Sequence, residues 1–132
     1  MLRFSSKQME EFERRSWTAF ADRFRPALRL EFGEAAVSRT EPLARLAEAA
    51  IAVKLDQSVE VYRFLRVCCA LEARDASPER RMLVARIAGL PDDQDRRLAR
   101  MERAVFEGDD GDRWPDFMDR VEPARIPSPR HD

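Results

Sequence analysis

Two adjacent cysteines, Cys68 and Cys69, are the residues of this sequence with the clearest chemical potential. They lie in the stretch SVEVYRFLRVCCALE, residues 58–72, whereas the single histidine, His131, lies far away near the C-terminus. Neighbouring residues on a helix point about 100° apart, so the two thiols cannot bind one small metal ion without distortion. Zinc needs four sulfur or nitrogen donors, or three and a water. We therefore predict no metal site, and we interpret both cysteines as small apolar core residues rather than redox or nucleophilic thiols.

Pairs of carboxylates are the other candidates for catalysis, as at Glu10-Glu11 and Asp92-Asp93. Adjacent carboxylates on a helix, or at its start, more often face solvent or complement the helix dipole than catalyse a reaction. The sequence has no glycine-rich phosphate loop, no G-x-S-x-G elbow and no H-E-x-x-H motif. Because no catalytic constellation can be assembled, we expect a protein that is not an enzyme and needs no cofactor.

The apolar pattern predicts an all-α fold, a bundle of about five helices. The first is long, from Ser5 to Phe32, and Pro26 should kink or break it near Arg25. The apolar stripe that continues in phase through Leu28 and Phe32 favours a kink. The other four are opened and closed by recognisable capping signals. They run from Thr40 and Pro42 to about Val53, from Asp56–Ser58 to about Ala73, from Ser77 to Gly89, and from Asp92 or Asp93 to Gly108.

Composition divides the chain into a helical domain, residues 1–107, and a tail rich in Gly, Asp and Pro, residues 108–132. With 44% hydrophobic and 37% charged residues, the chain resembles neither a disordered nor a membrane protein. Its formal charge of −1 gives no net attraction to nucleic acid or anionic lipid. The N-terminal residues lack the apolar core of a secretory signal, so we expect a cytoplasmic protein.

Four apolar residues interrupt the mostly irregular tail with helical spacing. Trp114, Phe117, Met118 and Val121 fall at i, i+3, i+4 and i+7, the anchor spacing of a short amphipathic turn (114–121) that docks in a groove. The turn could pack on its own domain, since exposed tryptophan leaves apolar surface in water, or on a partner protein. These four residues are the candidates for partner binding, and sequence alone leaves both surfaces open.

A DNA-binding interpretation rests on the last two predicted helices. Residues 84–90, VARIAGL, followed by a helix with Arg96, Arg97, Arg100 and Arg103, resemble part of a helix-turn-helix. Asp95, however, occupies a position where that motif packs an apolar side chain. The neighbouring aspartates also crowd the end that would face phosphates. An ordinary helix hairpin explains the same residues, so we do not expect nucleic acid to be a partner.

The order of features also resembles a known family. LARLAEAAIAVKLDQSVEVYRFLRVCCALEARDASPE, residues 43–79, followed by LARMERAVFE, residues 98–107, is similar to small helical accessory proteins encoded beside type VI secretion spike and effector genes in Gram-negative bacteria. Val61, Arg63 and the aromatic-aliphatic pair Phe64-Leu65 match the family pattern in the third helix. The resemblance implies an adaptor or accessory role and brings no catalytic residues.

We therefore expect a non-enzymatic protein of the cytoplasm that binds another protein, a spike component or effector of a type VI secretion machine. Two alternatives remain: an immunity protein that neutralises a neighbouring toxin, and a helix-turn-helix-like DNA-binding regulator. The sequence does not specify the partner or the oligomeric state.

Overall fold

The computed structural model describes residues 18–40, 42–109, 123, 124 and 126. Residues 18–22 are helical, and six helices follow. They are α1 (Arg25–Phe32), α2 (Glu34–Thr40), α3 (Leu43–Ala52), α4 (Ser58–Ala73), α5 (Pro78–Ala88) and α6 (Gln94–Phe106). No strand occurs among the described residues, so the predicted all-α class is confirmed, although these ranges already hold more helices than the five predicted.

The long kinked first helix is not confirmed. A turn at Arg23 and Phe24 separates two helical pieces, and their amides bond to carbonyls three residues back, at 3.3 and 3.1 Å. Pro26 then lies in the first turn of α1. Amides in a first turn have no acceptor within the helix, so the missing N–H group of proline costs no helical hydrogen bond there. The proline thus opens a new helix instead of bending an old one, while the N-terminal part of the predicted helix lies outside the described residues.

Helix α2 was not predicted, because residues 34–40 lack a long apolar stripe. Gly33, with φ of 90°, ends α1, and Glu34 begins α2 immediately. Thr40 is the last residue of α2 and not the cap of the next helix. Its hydroxyl donates to the carbonyl of Ala36 at 2.7 Å, inside the core. Helix α3 therefore begins after Pro42 without a side-chain cap.

Two helices end with a residue other than glycine in the left-handed conformation. Lys54 follows α3 with φ of 67°, and Asp75 follows α4 with φ of 49°. After α3 the amide of Leu55 donates to the carbonyl of Ala50 at 2.9 Å. After α4 the amide of Ala76 donates to the carbonyl of Leu71, also at 2.9 Å. This is the Schellman arrangement, in which glycine usually holds the left-handed position.

The predicted starts of the last two helices are confirmed. The Ser77 hydroxyl accepts a hydrogen bond from the amide of Arg80 at 3.1 Å, at the start of α5. The Asp93 carboxylate accepts one from the amide of Arg96 at 2.8 Å, at the start of α6. Each bond satisfies one of the four amides that a helix start leaves without an internal partner.

Helix α4 is the centre of the bundle. It packs against α1, α2, α3 and α6, while α5 packs mainly on α6. The residues that point inward from α4 are completely buried, as Phe64 and Leu65 show. The predicted third helix thus forms the core, and the other helices surround it.

Candidate functional site

Both cysteines are free and buried within α4. Cys69 is 0% exposed, and Thr40 of α2 lies beside it. Burial raises the pKa of both thiols, that of Cys69 to about 11, although the neighbouring Thr40 side chain acts in the opposite direction. Neither sulfur is therefore a thiolate near neutral pH, and this environment does not activate a nucleophile.

The predicted partner-binding residues Trp114, Phe117, Met118 and Val121 lie outside the described residues. The chain is described on both sides of them. Before them, the carbonyl of Asp109 accepts a hydrogen bond from the Arg80 guanidinium, and after them the amide of Ala124 donates to the carbonyl of Ala85 at 2.9 Å. Arg80 and Ala85 are about one and a half turns apart on α5, so Asp109 and Ala124 are both bonded to the same helix.

A cavity of about 360 Å³ lies beside the second attachment point. We call it the groove. Its walls come mostly from apolar side chains of α3, α4 and α5. These are Leu46, Cys68, Leu71, Met82 and Ala85. On the remaining side, three residues of the tail, Pro123, Ala124 and Ile126, cover it.

One wall of the groove carries charge. Glu72 is only 8% exposed, and its carboxylate lies 3.2 Å from Nη2 of Arg81 and 3.5 Å from Nε of Arg39. Arg81 Nε also donates to the carbonyl of Ala76 at 3.1 Å. Because these partners hold the carboxylate and the guanidinium together, the wall offers the groove a paired charge rather than a reactive group. The site is thus built for apolar contact.

The tail residues that line the groove, Pro123, Ala124 and Ile126, which we call the tail segment, show what this surface accepts. Ala124 and Ile126 both pack against the core, and the Ala124 amide shares the Ala85 carbonyl with the amide of Gly89, which lies 3.3 Å from it. Apolar residues two apart facing the same way have the spacing of an extended chain. Sequence reasoning missed this segment because it searched the tail only for helical spacing. The Ala-x-Ile pattern was the available signal.

Arg97, one of the four arginines of the helix-turn-helix interpretation, is buried inside the bundle. It is only 4% exposed, and its guanidinium donates to the carbonyl of Ala88 at 2.7 Å, to that of Lys54 at 3.3 Å and to that of Val53. These carbonyls belong to the ends of α5 and α3, which have no helical partners of their own. Arg97 therefore joins two helix ends and cannot reach a DNA backbone.

Two other arginines of that interpretation pair with aspartates at the start of α6. Nε of Arg96 lies 3.4 Å from the Asp93 carboxylate, and Nη2 of Arg100 lies 3.9 Å from that of Asp92. Phosphate would have to compete with these carboxylates and would approach their negative charge. The geometry of α5 and α6 therefore favours an ordinary helix hairpin over a DNA-reading one.

The arginine that matches the resembled family's basic position forms ion pairs between helices. Arg63 of α4 lies 2.7 Å from the carboxylate of Asp95 and also pairs with Glu102, both on α6. One α-helical turn away, Arg66 pairs with Glu31 of α1 and lowers the pKa of that carboxyl. Both arginines thus hold α4 to its neighbours.

The chain matches no protein-family model, no curated protein and no solved structure. Among the described residues, no group of three or more His, Cys, Asp or Glu side chains is placed to hold a metal ion. Within the same ranges no helix has the length and apolar character needed to cross a membrane.

Proposed function

We propose that this chain is a non-enzymatic accessory protein, or adaptor, that binds another protein through the groove. One observation carries the proposal: the groove already holds a non-helical peptide segment by a main-chain hydrogen bond, from Ala124 to Ala85, and by two apolar side chains. Main-chain bonding combined with pockets for alternate side chains is a common way in which proteins recognise peptides.

The chemistry of the groove supports binding rather than catalysis. Its charged groups, Glu72 and Arg81, neutralise each other, and the Cys68 thiol has a pKa raised by burial. A general base or nucleophile would need a pKa suited to its reaction and a position within reach of a substrate. The cavity volume suits a small ligand as well as side chains, but the bond to Ala85 favours a peptide.

The family resemblance supplies the first partners to try, which are a type VI secretion spike component or effector in a cytoplasmic complex. Trp114, Phe117, Met118 and Val121 remain candidates for a second contact with that partner. An immunity protein would use the same groove against a toxin encoded next to it. The DNA-binding alternative has less support, because Arg97 is buried and Arg96 is paired with Asp93.

The test is capture of defined partners by the full chain. The proteins encoded by adjacent genes, including any spike component, effector or toxin, are each co-expressed with the tagged chain and captured. Met82 lines the groove and is 44% exposed, so Met82→Asp should leave the fold intact and abolish capture. Val59 is an exposed apolar residue at the start of α4 that does not line the groove, and Val59→Asp is the matched control. Capture of a partner equally well by both variants would refute the groove as the binding site.

A further inference from the structure

The groove is partly filled by the chain's own tail. The Ala124 amide is bonded to Ala85, and Ile126 packs on the core, yet a cavity of about 360 Å³ remains beside them. Ala124 lines this cavity with a single methyl group. A larger side chain at this place would contact more of the apolar wall and remove more of it from water, so it would bind better.

The tail segment is also tethered beside its binding site. Asp109 is bonded to Arg80, and the covalent chain from Asp109 to Pro123 keeps the segment within its own length of α5. A short tether gives an effective concentration of the order of millimolar, which makes even a weak segment a strong competitor. Because Ala124 contributes only a methyl group to the contact, we expect the intrinsic affinity of the segment to be low.

From these observations we propose that the groove recognises a partner segment with two apolar side chains two residues apart, the first bulkier than alanine, and that Ala124 and Ile126 of the tail compete with it. The proposal rests on the proposed function and adds both the class of partner segment and its regulation. A partner gains access only by displacing the chain's own Ala-x-Ile pattern, so segments that fill the cavity less well are rejected.

The size of the competition follows from occupancy. If the tail segment occupies the groove for about nine-tenths of the time, the apparent affinity for any other segment falls about tenfold. Disabling the tail segment should therefore raise the apparent affinity for another segment by about the same tenfold. Ile126→Asp is the appropriate change, because it places a charge against the apolar wall while altering only a partly buried tail residue.

The experiment measures fluorescence anisotropy of two labelled peptides added to the full chain. The first has the sequence of residues 121–128, and the second has leucine in place of Ala124. We expect the leucine peptide to bind about tenfold more tightly than the first, and both to bind the Ile126→Asp chain about tenfold more tightly than the unaltered chain. Adding Met82→Asp to the Ile126→Asp chain should abolish binding, whereas adding Val59→Asp should not.

Equal affinity of the unaltered and Ile126→Asp chains for the leucine peptide would overturn the competition. Weaker binding of the leucine peptide would overturn the partner class. If Trp114→Ala, and not Ile126→Asp, makes the chain bind the peptides more tightly, the competing role belongs to residues 114–121. Light scattering that shows a dimer lost on Ile126→Asp would indicate exchange between two copies. Any of these four results would overturn the proposal. Met82-dependent capture of a neighbouring protein would still support the proposed function.

Discussion

At the residue scale, we expect Arg97 to contribute more to the stability of the fold than the other arginines of α6. Its planar fork reaches the carbonyls of Val53, Lys54 and Ala88 from one buried position. Desolvation lowers the pKa of this guanidinium, but an arginine starts so far above neutrality that it stays charged. The sequence could not reveal this role, because Arg97 reads as one of several exposed cations on a charged helix.

Replacement of Arg97 tests this account. Arg97→Leu should lower the free energy of unfolding by about 3 kcal/mol, because it leaves buried carbonyls without donors. Arg97→Lys should lower it less, since an ammonium retains the charge but not the fork. Urea denaturation measures both. Arg96→Leu, one residue away and exposed, is the control and should change stability by no more than about 1 kcal/mol. Equal losses for Arg96 and Arg97 would contradict the role.

The two cysteines give a second test at this scale. With the pKa of Cys69 raised to about 11 from an ordinary value near 9, its thiolate fraction at pH 8 is about a hundredfold lower than in an unfolded chain. Alkylation by iodoacetamide should therefore be at least about a hundredfold slower in the folded protein than in urea. In Cys68→Ala the reaction reports on Cys69 alone. Rapid labelling of the folded chain would show that the thiol is accessible.

The same pKa shift predicts how stability changes with pH. Because the folded protein holds the thiol proton more tightly, this contribution to stability is complete below about pH 9 and is lost as pH rises towards 11. The loss of stability between about pH 9 and 11 should disappear in a chain in which both cysteines are replaced by alanine. This control separates the thiol contribution from that of other groups that titrate in alkali.

At the scale of single elements, the end of α3 is held in a conformation that glycine would adopt more easily. Lys54→Gly should raise the free energy of unfolding by about 1 kcal/mol, because lysine is strained at φ of 67°. Asp75→Gly at the end of α4 should give a smaller gain, since aspartate tolerates the left-handed region better than lysine. Thermal melting measures both. A loss of stability on Lys54→Gly would mean that the side chain contributes more than its backbone strain costs.

The helix starts show how far local sequence rules reach in this chain. The helix starts at Ser77 and Asp93 could be predicted from the sequence, because a capping side chain and the amide that it binds are only three residues apart. Helix α2 and the turn at Phe24 were not readable, because tertiary contacts decide them: Phe24 packs against Phe20 at 5.4 Å and Tyr62 at 5.3 Å between ring centroids. An apolar stripe that continues in phase does not guarantee a continuous helix.

At the scale of the whole molecule, the helical class follows from the apolar pattern, but the groove does not. It forms where Leu46, Cys68 and Met82 meet from three separate helices, so no local pattern predicts it. The tail that covers it was expected to be irregular. Its described residues are indeed neither helix nor strand, yet Ala124 and Ile126 are packed against the core. The candidate site therefore depends on a long-range contact that only the folded chain shows.

Hydrogen exchange at the Ala124 amide tests the central claim most directly, because this group forms the main-chain bond to Ala85. In the unaltered full chain we predict that this amide exchanges at least about tenfold more slowly than an unbonded amide, as occupancy near nine-tenths requires. Saturation with the leucine peptide should remove the protection, because the tail segment is then displaced. An Ala124 amide that exchanges like an unbonded one in the free protein, or that stays protected when the peptide is bound, would contradict a groove that is shared between the tail and a partner.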